Sequence, residues 1–559
     1  MTNCDAYDWV KSNMAQDIMK NKPFSDVQFN YINDINSSQY NNVSQTLLQF
    51  DLSSLYNSSK WTDTSSHFLV IPTVRCAEAF TAAPAHQDLT VDSYYLTAIK
   101  NLNTSIIHQV DLTCNGKPVS QLQSFHNIFT NIKLASELSL DDLKLMGSQI
   151  GMMEMNNPNS MTYSLTGNPA GVNYSAPGVA NNYVKGTPYT DIPNNATAQN
   201  KGTANGAIQQ KLSLNKCKAG SFSNLTAITD GTNLEREFTP TYEVVNGIAI
   251  WKDYLVIFMK DIIDAMKKMG IVRRLDAVLR IYVNTGFVRV TYPAADRMEF
   301  APSNSTFTDT CPVLINNINA LPTAATASLN VGFFIAKAPT YTFNGSNFTG
   351  IASTMNACRY YYNQLVIQPT LALDYISSNS AKTILYDNFL YNTYVDIKTN
   401  ASYSQLIQSG VSNIKTVIVV PLVSSTVHNF SAYASPFDPV GGVAGHPISL
   451  QNFQVSVGGT NQLTSVLDNN YENYIEQIRI AFRQSSSEYG VESGLWSPDF
   501  WNNNRLYVCN VRGTEDDNQT PRNVVLSFRN NSNVSIDIIV FVVYDDNLVL
   551  NVSTGIISK

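Results

Sequence analysis

The sequence predicts an all-β protein with short helices, arranged as two consecutive β-sandwich domains, the first of which carries a long loop insertion. Two observations lead to this prediction. A strand, a tight turn and an amphipathic helix follow one another at two places in the chain, and a second apolar strand lies upstream of each copy. The chain also has 559 residues, which is too many for a single hydrophobic core.

The first copy of this unit runs from Ile106 to Lys133. Apolar and polar residues alternate up to Cys114, as in a half-buried strand. Asn115 and Gly116 tolerate positive φ and predict a sharp turn. Pro118 is then expected in the first turn of a helix, where its missing N–H costs nothing. The apolar residues that follow are spaced three and four apart on one helical face: Leu122, Phe125, Phe129 and Ile132.

The second copy runs from Phe453 to Ile480, and Gly458 and Gly459 supply its turn. The upstream strands are HFLVIPTV, at 67–74, and TVIVVPLV, at 416–423. Pro421 follows Pro72 by 349 residues and Gly459 follows Gly116 by 343. These near-equal offsets predict an ancient tandem duplication of one β-rich domain of about 200 residues. Chance similarity between short apolar strings is the alternative.

The remaining elements complete the domain plan. Residues 1–23 are predicted to form an N-terminal arm with a short amphipathic helix, which either reaches a neighbour or packs under its own domain. The first domain is assigned to 24–345 and the second to 346–559. Residues 152–240 are crowded with Asn, Gly, Pro, Ser and Thr, and we interpret them as a crown of surface loop supported by partners, with a floppy loop as the alternative.

Within these domains the pattern predicts a helix near Lys260 to Lys268 and strands at 278–283 and 287–292. Further strands are expected at 365–367 and at 370–375. Roughly eight strands fall in each half, and eight antiparallel strands in two facing sheets make a jelly roll. Two tryptophans, Trp251 and Trp496, serve as further landmarks of the two halves.

Composition limits the classes of function. Charged residues are only 14% of the chain, against about a quarter in ordinary soluble domains, and aromatic residues reach 11%. Such surfaces suit contact with other protein, although an AT-rich genome would also enrich Asn, Ile and Tyr. The net charge is −7 and the sequence lacks a basic arm, so direct binding of nucleic acid is not expected.

The sequence offers no motif for a cofactor, a metal or catalysis. The seven cysteines are widely spaced and are interpreted as buried or free thiols. The histidines lack metal-binding spacing, and His108 and His126 are expected to be structural. Asp141-Asp142 and Asp516-Asp517 are adjacent carboxylates of the kind that is usually solvated. The first residues lack the apolar core of a secretion signal, and no apolar stretch is long enough to span a membrane.

The chain resembles the double jelly-roll major capsid proteins of tailless icosahedral DNA viruses, of the virophage and polinton-like type. The resemblance covers about residues 24 to 559. It rests on the order of NGKPVSQLQSFHNIF, WKDYLVIFMKDI…LRIYVNTG and SPFDPVGGVAGHP…NYENYIEQIR…GLWSPDF. None of these stretches is a catalytic signature.

This resemblance implies a structural protein of the virion. Three subunits would form a pseudo-hexagonal capsomer, and capsomers would form an icosahedral shell together with penton and minor capsid proteins. It implies neither a cofactor nor an enzymatic activity, and it leaves contact with an inner membrane open. The alternative is a β-sandwich receptor-binding or carbohydrate-binding protein, for which Tyr174, Tyr183 and Tyr189 in the insertion are candidates. A β-rich glycosidase, which would need paired carboxylates in a cleft, is the third possibility.

Overall fold

The structure is a computed structural model, and the part of the chain that it describes is given by number. It comprises residues 24–37, 39–40, 45–56, 60–82, 85–87, 95–99, 103–139, 142, 145–146, 150, 163–164, 182–184, 241–245, 248–294, 297–302, 313–317, 328–338, 342–343, 346–347, 350–423, 448–463, 471–482, 496, 501, 506–511, 521–532 and 535–558. The predicted arm at 1–23 and nearly all of the 152–240 insertion lie outside these residues.

Strands dominate the described residues in the first two thirds of the chain. They are β1 (Phe24–Asn33), β2 (Gln45–Asp51), β3 (Trp61–Asp63), β4 (Phe68–Ala82), β5 (Ala85–Gln87), β6 (Tyr95–Ile99), β7 (Ile107–Cys114), β8 (Lys117–Ser120), β9 (Tyr163–Ser164), β10 (Asn182–Val184), β11 (Thr241–Val245), β12 (Ile248–Phe258), β13 (Ile271–Arg273), β14 (Ala277–Asn284), β15 (Gly286–Ala294), β16 (Arg297–Pro302), β17 (Val313–Asn317), β18 (Ser328–Ile335), β19 (Thr342–Phe343), β20 (Ser346–Asn347) and β21 (Arg359–Ile367).

The last third adds β22 (Lys382–Ile397), β23 (Ser402–Val411), β24 (Ile414–Val423), β25 (Leu450–Val457), β26 (Thr460–Asn461), β27 (Tyr507–Asn510), β28 (Arg522–Asn530), β29 (Ile536–Leu550) and β30 (Ile557–Ser558). The α-helices are short: α1 (Ser53–Tyr56), α2 (His126–Glu137), α3 (Met259–Ile262), α4 (Asp264–Met269), α5 (Pro369–Ser378) and α6 (Tyr471–Phe482). The described residues also include 3₁₀ turns at Thr64–Ser66 and Asn103–Ile106.

The C-terminal unit is a sandwich of two antiparallel sheets. One has the strand order β22-β29-β24-β27, with β30 added to β29, and the other has the order β23-β28-β25-β26. Apart from the hairpins β25-β26 and β29-β30, consecutive strands therefore alternate between the two sheets, as in a jelly roll. The apolar run Ile536–Tyr544 lies in β29 between β22 and β24.

The N-terminal unit repeats this order. In one sheet β1 pairs with β21, β21 with β4, and β4 with β12, while the other sheet has the order β2-β14-β7-β8. Additional strands, such as β18, extend the first of these sheets. The prediction of an all-β protein with two tandem jelly rolls is therefore confirmed. Strand β21 belongs to the N-terminal unit although it follows the predicted boundary between 345 and 346.

The repeated unit differs from the prediction at its turn, because Pro118 lies in β8 and not in a helix. Asn115 and Gly116 have φ values of 49° and 73°, so the two-residue turn reverses the chain into a hairpin, and Cys114 pairs with Lys117. The proline is tolerated because β8 lies at a sheet edge. The helix begins only at His126.

A second correction concerns residues 370–375, which were predicted as a strand and form part of helix α5. The helix starts at Pro369, whose fixed φ suits the first helical position. Tyr375 anchors the helix, because its ring is buried and its hydroxyl donates to the carbonyl of Ile271 at 3.0 Å. A short apolar run does not by itself distinguish a strand from a helix.

The chain beyond β29 closes against the N-terminal unit. The main-chain N–H of Ile557 donates to the side-chain oxygen of Asn115 at 3.1 Å. Gly555 has φ +71°, and an added Cβ would overlap the carbonyl oxygens of Arg273 and Arg274. The last described segment is therefore packed backbone to backbone against the first sandwich.

We expect Gly555→Ala to destabilise the protein more than Gly116→Ala. Both positions have positive φ, which costs an alanine about 1–2 kcal/mol. Only Gly555 adds steric overlap, because Gly116 has open space around it, and overpacking costs about 1–3 kcal/mol more. Urea unfolding of both variants measures the difference, and equal losses would contradict the close packing of this segment.

Candidate functional site at the inter-domain junction

Helix α2 lies between the two sandwiches. All residues from His126 to Ser136 are buried. The ring of Phe129 stacks on Phe389 of β22 with centroids 4.2 Å apart, and lies 5.8 Å from Phe541 of β29. Phe125, just before the helix, meets Tyr391 of β22 edge-on at 5.5 Å. Aromatic packing therefore joins the helix of the first unit to the sheet of the second.

A buried ion pair lies beside these rings. The Nζ of Lys133 is 2.9 Å from Oδ1 of Asp264, and both side chains are almost fully buried. The other oxygen of Asp264 accepts from Nζ of Lys268 at 2.7 Å and from the main-chain N–H of Asp387 in β22 at 2.9 Å. The carboxylate therefore connects α2, α4 and the second unit.

Both members of this pair are charged. Burial alone would raise the pKa of Asp264, but the ammonium groups of Lys133 and Lys268 outweigh it and hold this pKa well below its usual range. Burial would likewise lower the pKa of Lys133, but the carboxylates of Glu137 and Asp264 keep it above its usual value. Removing either residue of this pair would leave the other as an uncompensated buried charge at the junction.

The cavity beside this pair is too small for a substrate. Its volume is about 20 Å³, enough for one water molecule, whereas ligand pockets typically span about 300–1,000 Å³. Asp261, at its edge, has a pKa raised to about 6 because burial outweighs the nearby lysines. The arrangement suits a structural joint between the two units.

The two tryptophan landmarks lie apart. Trp496 is buried at the junction, where its indole N–H donates to the hydroxyl of Ser136 in α2 at 3.0 Å. Its ring meets Tyr474 of α6 edge-on at 5.9 Å. Trp251 is buried in β12, opposite Arg75 of β4, in the interior of the first unit. Trp496 therefore joins the two units.

The two prolines lie in corresponding strands but on opposite faces. Pro72 is in β4, next to Ile71, which belongs to the main core, so Pro72 faces away from that core. Pro421 is in β24, two residues after the core residue Val419, so it faces inward. The two prolines therefore mark corresponding strands of the two units, but they do not occupy corresponding positions within those strands.

The turn landmarks correspond closely. Asn115-Gly116 connects β7 to β8, and Gly458-Gly459 connects β25 to β26, each as a two-residue turn with positive φ at both positions. A helix, α2 or α6, follows each hairpin. Among these residues Asn115 also contacts the other unit, through Ile557.

The remaining candidates play local roles or lie outside the described residues. The carboxylate of Asp142 accepts from the hydroxyl and N–H of Ser139, and these bonds lower its pKa. Tyr183 is in β10. The other candidates, Asp141, Asp516, Asp517, Tyr174 and Tyr189, are not described. Within the described residues no group of three or more His, Cys, Asp or Glu side chains could hold a metal, and no described helix is long and apolar enough to cross a membrane.

Lys133, Asp264 and Phe389 were not singled out by the sequence analysis. Lys133 follows Ile132 on a helix whose buried face was recognised, but one helix face gives no indication of a second surface covering the charge. The burial of Lys133 becomes evident only when the second unit is seen to cover the helix. These residues are recognised from contacts between the units.

His67 makes stability sensitive to acid. Its ring is buried between the hydroxyls of Thr62, 2.6 Å from Nε2, and Tyr360, 2.7 Å from Nδ1. Burial lowers its pKa to about 3, against about 6.5 in the unfolded chain. The unfolded chain therefore binds the extra proton, so this stability is present above pH 6.5 and is lost as pH falls toward 3.

We expect the variant His67→Gln, which keeps a donor and an acceptor, to lose less stability on acidification. The slope of unfolding free energy against pH should be smaller by about 1.4 kcal/mol per pH unit between pH 4 and 6. Urea unfolding at several pH values measures both slopes. Identical slopes would show that His67 does not titrate in this way.

The strand order and the junction define a double jelly-roll protein. No protein-family model matches the sequence, and no curated protein matches it. A chain in the cryo-EM structure of the Sputnik virophage is similar over 97% of this chain and 89% of its own, with 13% identity and a TM-score of 0.52. This likeness shows the shared fold.

Two further solved structures are similar at lower scores. The mavirus major capsid protein matches over 97% of this chain and 92% of its own, with 9% identity and a TM-score of 0.44. The Faustovirus major capsid protein matches over 94% and 91%, with 11% identity and a TM-score of 0.40.

Proposed function

We propose that this protein is a major capsid protein whose trimers tile an icosahedral viral shell. The observation that carries the proposal is the same two-sheet strand order in both units, fixed side by side by a buried junction. The likeness of fold to the Sputnik virophage chain over 97% of the sequence supports it.

Trimer formation explains why one chain contains two similar units. Three copies of a two-unit chain present six similar sandwiches around an axis, which is the shape of a hexagonal tile. Because such a ring closes, it gives a discrete particle rather than a filament. The low content of charged residues suits the broad contacts between copies and between tiles.

The finer assignments belong to the same proposal. The arm at 1–23 would contact neighbouring subunits, and the 152–240 insertion would form the outer crown. The two units would divide at α5, since β21 pairs within the first sheet and β22 within the second. Partners would be other capsomers, penton proteins and minor capsid proteins, and the protein would reside in the virion without binding nucleic acid directly.

We expect the purified chain to be a stable trimer in solution. Light scattering coupled to gel filtration should give about three times the chain mass of 61.8 kDa. Closed shells seen by electron microscopy at higher concentration would extend the result. A chain that stays monomeric at high concentration would contradict the proposal.

A further inference from the structure

Helices α2 and α6 correspond in position but differ in burial. Each has 12 residues and follows the short hairpin of its unit. In α2 eleven residues are buried, whereas in α6 only Tyr474 and Ile478 are. Helix α2 is enclosed by its own unit and by the sheet of the neighbouring unit, whereas α6 contacts β27 and α2 and leaves its opposite face exposed.

The strand that α2 covers also has an uncovered counterpart. Phe389 and Tyr391 lie on the outer face of β22, where α2 packs. Strand β1 has the position of β22 in the first unit, as the edge strand next to β21. Its outer face carries Val27, Phe29 and Tyr31, which are 50%, 62% and 49% exposed. Among the described strands only β21 pairs with β1.

The exposed face of α6 carries apolar and charged residues that complement this strip. Glu472, Glu476 and Ile480 are four residues apart and therefore lie on one helical face, opposite Tyr474 and Ile478. Ile480 is 44% exposed, and the side chain of Glu476 is 57% exposed. The face thus combines an apolar residue with two carboxylates, and Arg479 pairs with Glu476 at 3.4 Å.

A basic side chain borders the strip on β1. The guanidinium of Arg359 lies over the ring of Tyr31 at 4.5 Å. This cation beside exposed aromatic rings is complementary to the carboxylates and the apolar residue on α6. Complementary charge of this kind sets orientation and partner choice.

We propose that α6 of one chain packs on the outer face of β1 in the next chain, and that this contact closes the trimer. The inference deepens the proposed capsid function and rests on it. It repeats between chains the contact that α2 makes with β22 within each chain. Because the two surfaces differ, the contact is head to tail, as a three-fold ring requires.

The size of the strip fits the centre of such an interface. Its three side chains expose about 300 Å², taking roughly 200 Å² for each aromatic side chain. A standard interface needs about 800 Å² per partner, so the strip would be the apolar centre of a wider contact. An exposed apolar edge strand is otherwise a site of uncontrolled association.

The test uses Phe29→Asp and Ile480→Asp in the full chain, with Leu373→Asp as the matched control. Leu373 is 67% exposed and lies on α5, which is part of neither surface. Each test variant should weaken trimer formation by about 30-fold or more, the size of a hot-spot substitution. The control should remain trimeric. Circular dichroism and thermal unfolding of the separated monomers establish that they are folded.

Mixing the two monomeric variants tests the pairing itself. Phe29→Asp keeps an intact α6 and Ile480→Asp keeps an intact β1. One contact between α6 and β1 can therefore form between the two variant chains. A species of twice 61.8 kDa is expected, and its absence would overturn the pairing of α6 with β1. Charge exchange gives a second readout, because Arg359→Glu and Glu476→Arg should each weaken the trimer and restore it when combined.

The outcomes separate this inference from the proposed function. A monomeric wild-type chain would contradict the capsid proposal itself. A trimeric wild-type chain whose Phe29→Asp and Ile480→Asp variants stay as trimeric as the control would overturn the inference and leave the capsid proposal standing.

Discussion

Phe129→Ala is expected to lower the free energy of unfolding by about 3–5 kcal/mol, the usual loss for a large buried aromatic side chain. Phe129 is only 7% exposed and packs on Phe389 and Phe541 of the other unit. Its removal leaves a cavity between the two sandwiches and not within either one. The variant should therefore uncouple the units as well as destabilise them.

Calorimetry distinguishes these two effects. We expect the calorimetric enthalpy to exceed the van't Hoff enthalpy in Phe129→Ala, because the two units then unfold separately. Phe50→Ala is the matched control, since Phe50 is fully buried within the first unit and packs on Tyr360. It should cost a similar free energy without changing the enthalpy ratio. The same ratio in both variants would contradict a coupling role for Phe129.

Lys133→Met is expected to cost about 3–5 kcal/mol, because it leaves a buried carboxylate without its main partner. The methionine keeps most of the volume of the lysine stem, so the loss is electrostatic. Removing the carboxylate as well, in Lys133→Met with Asp264→Leu, should recover part of the loss. Chemical denaturation of the single and double variants measures the coupling between the two residues.

Lys398→Met provides the control for this prediction. Lys398 pairs with Asp396, but its side chain is 68% exposed, and exposed pairs contribute about 0–1 kcal/mol. Its replacement should change stability little. If Lys133→Met were equally mild, the buried pair would not hold the junction.

The sequence predicted the features that depend on local pattern. Alternation of apolar residues located β7, a continuous apolar run located β24, and residues that tolerate positive φ located both hairpin turns. The strand count led to the correct sandwich. Local pattern was insufficient at Pro118, where a proline is compatible with the first turn of a helix and with an edge strand. There the hairpin geometry decides, and it becomes visible only with the paired strand.

The junction could not be predicted in the same way. Residues 133 and 264, or 136 and 496, are brought together by the packing of one unit on the other. The sequence also did not predict whether Pro72 and Pro421 face toward or away from the core. A shift of one residue reverses the face of a strand without changing its apolar appearance. Duplication indicates which elements correspond, but it does not give the register between them.

The bond from Ile557 to Asn115 spans 442 residues. A ribosome adds about 5–20 residues each second, so the first hairpin exists for roughly 20–90 seconds before its partner segment is made. During this time the nascent first unit lacks the backbone packing of Gly555. The contact therefore forms only after synthesis has passed this segment, and a chain released earlier has a first unit that lacks it.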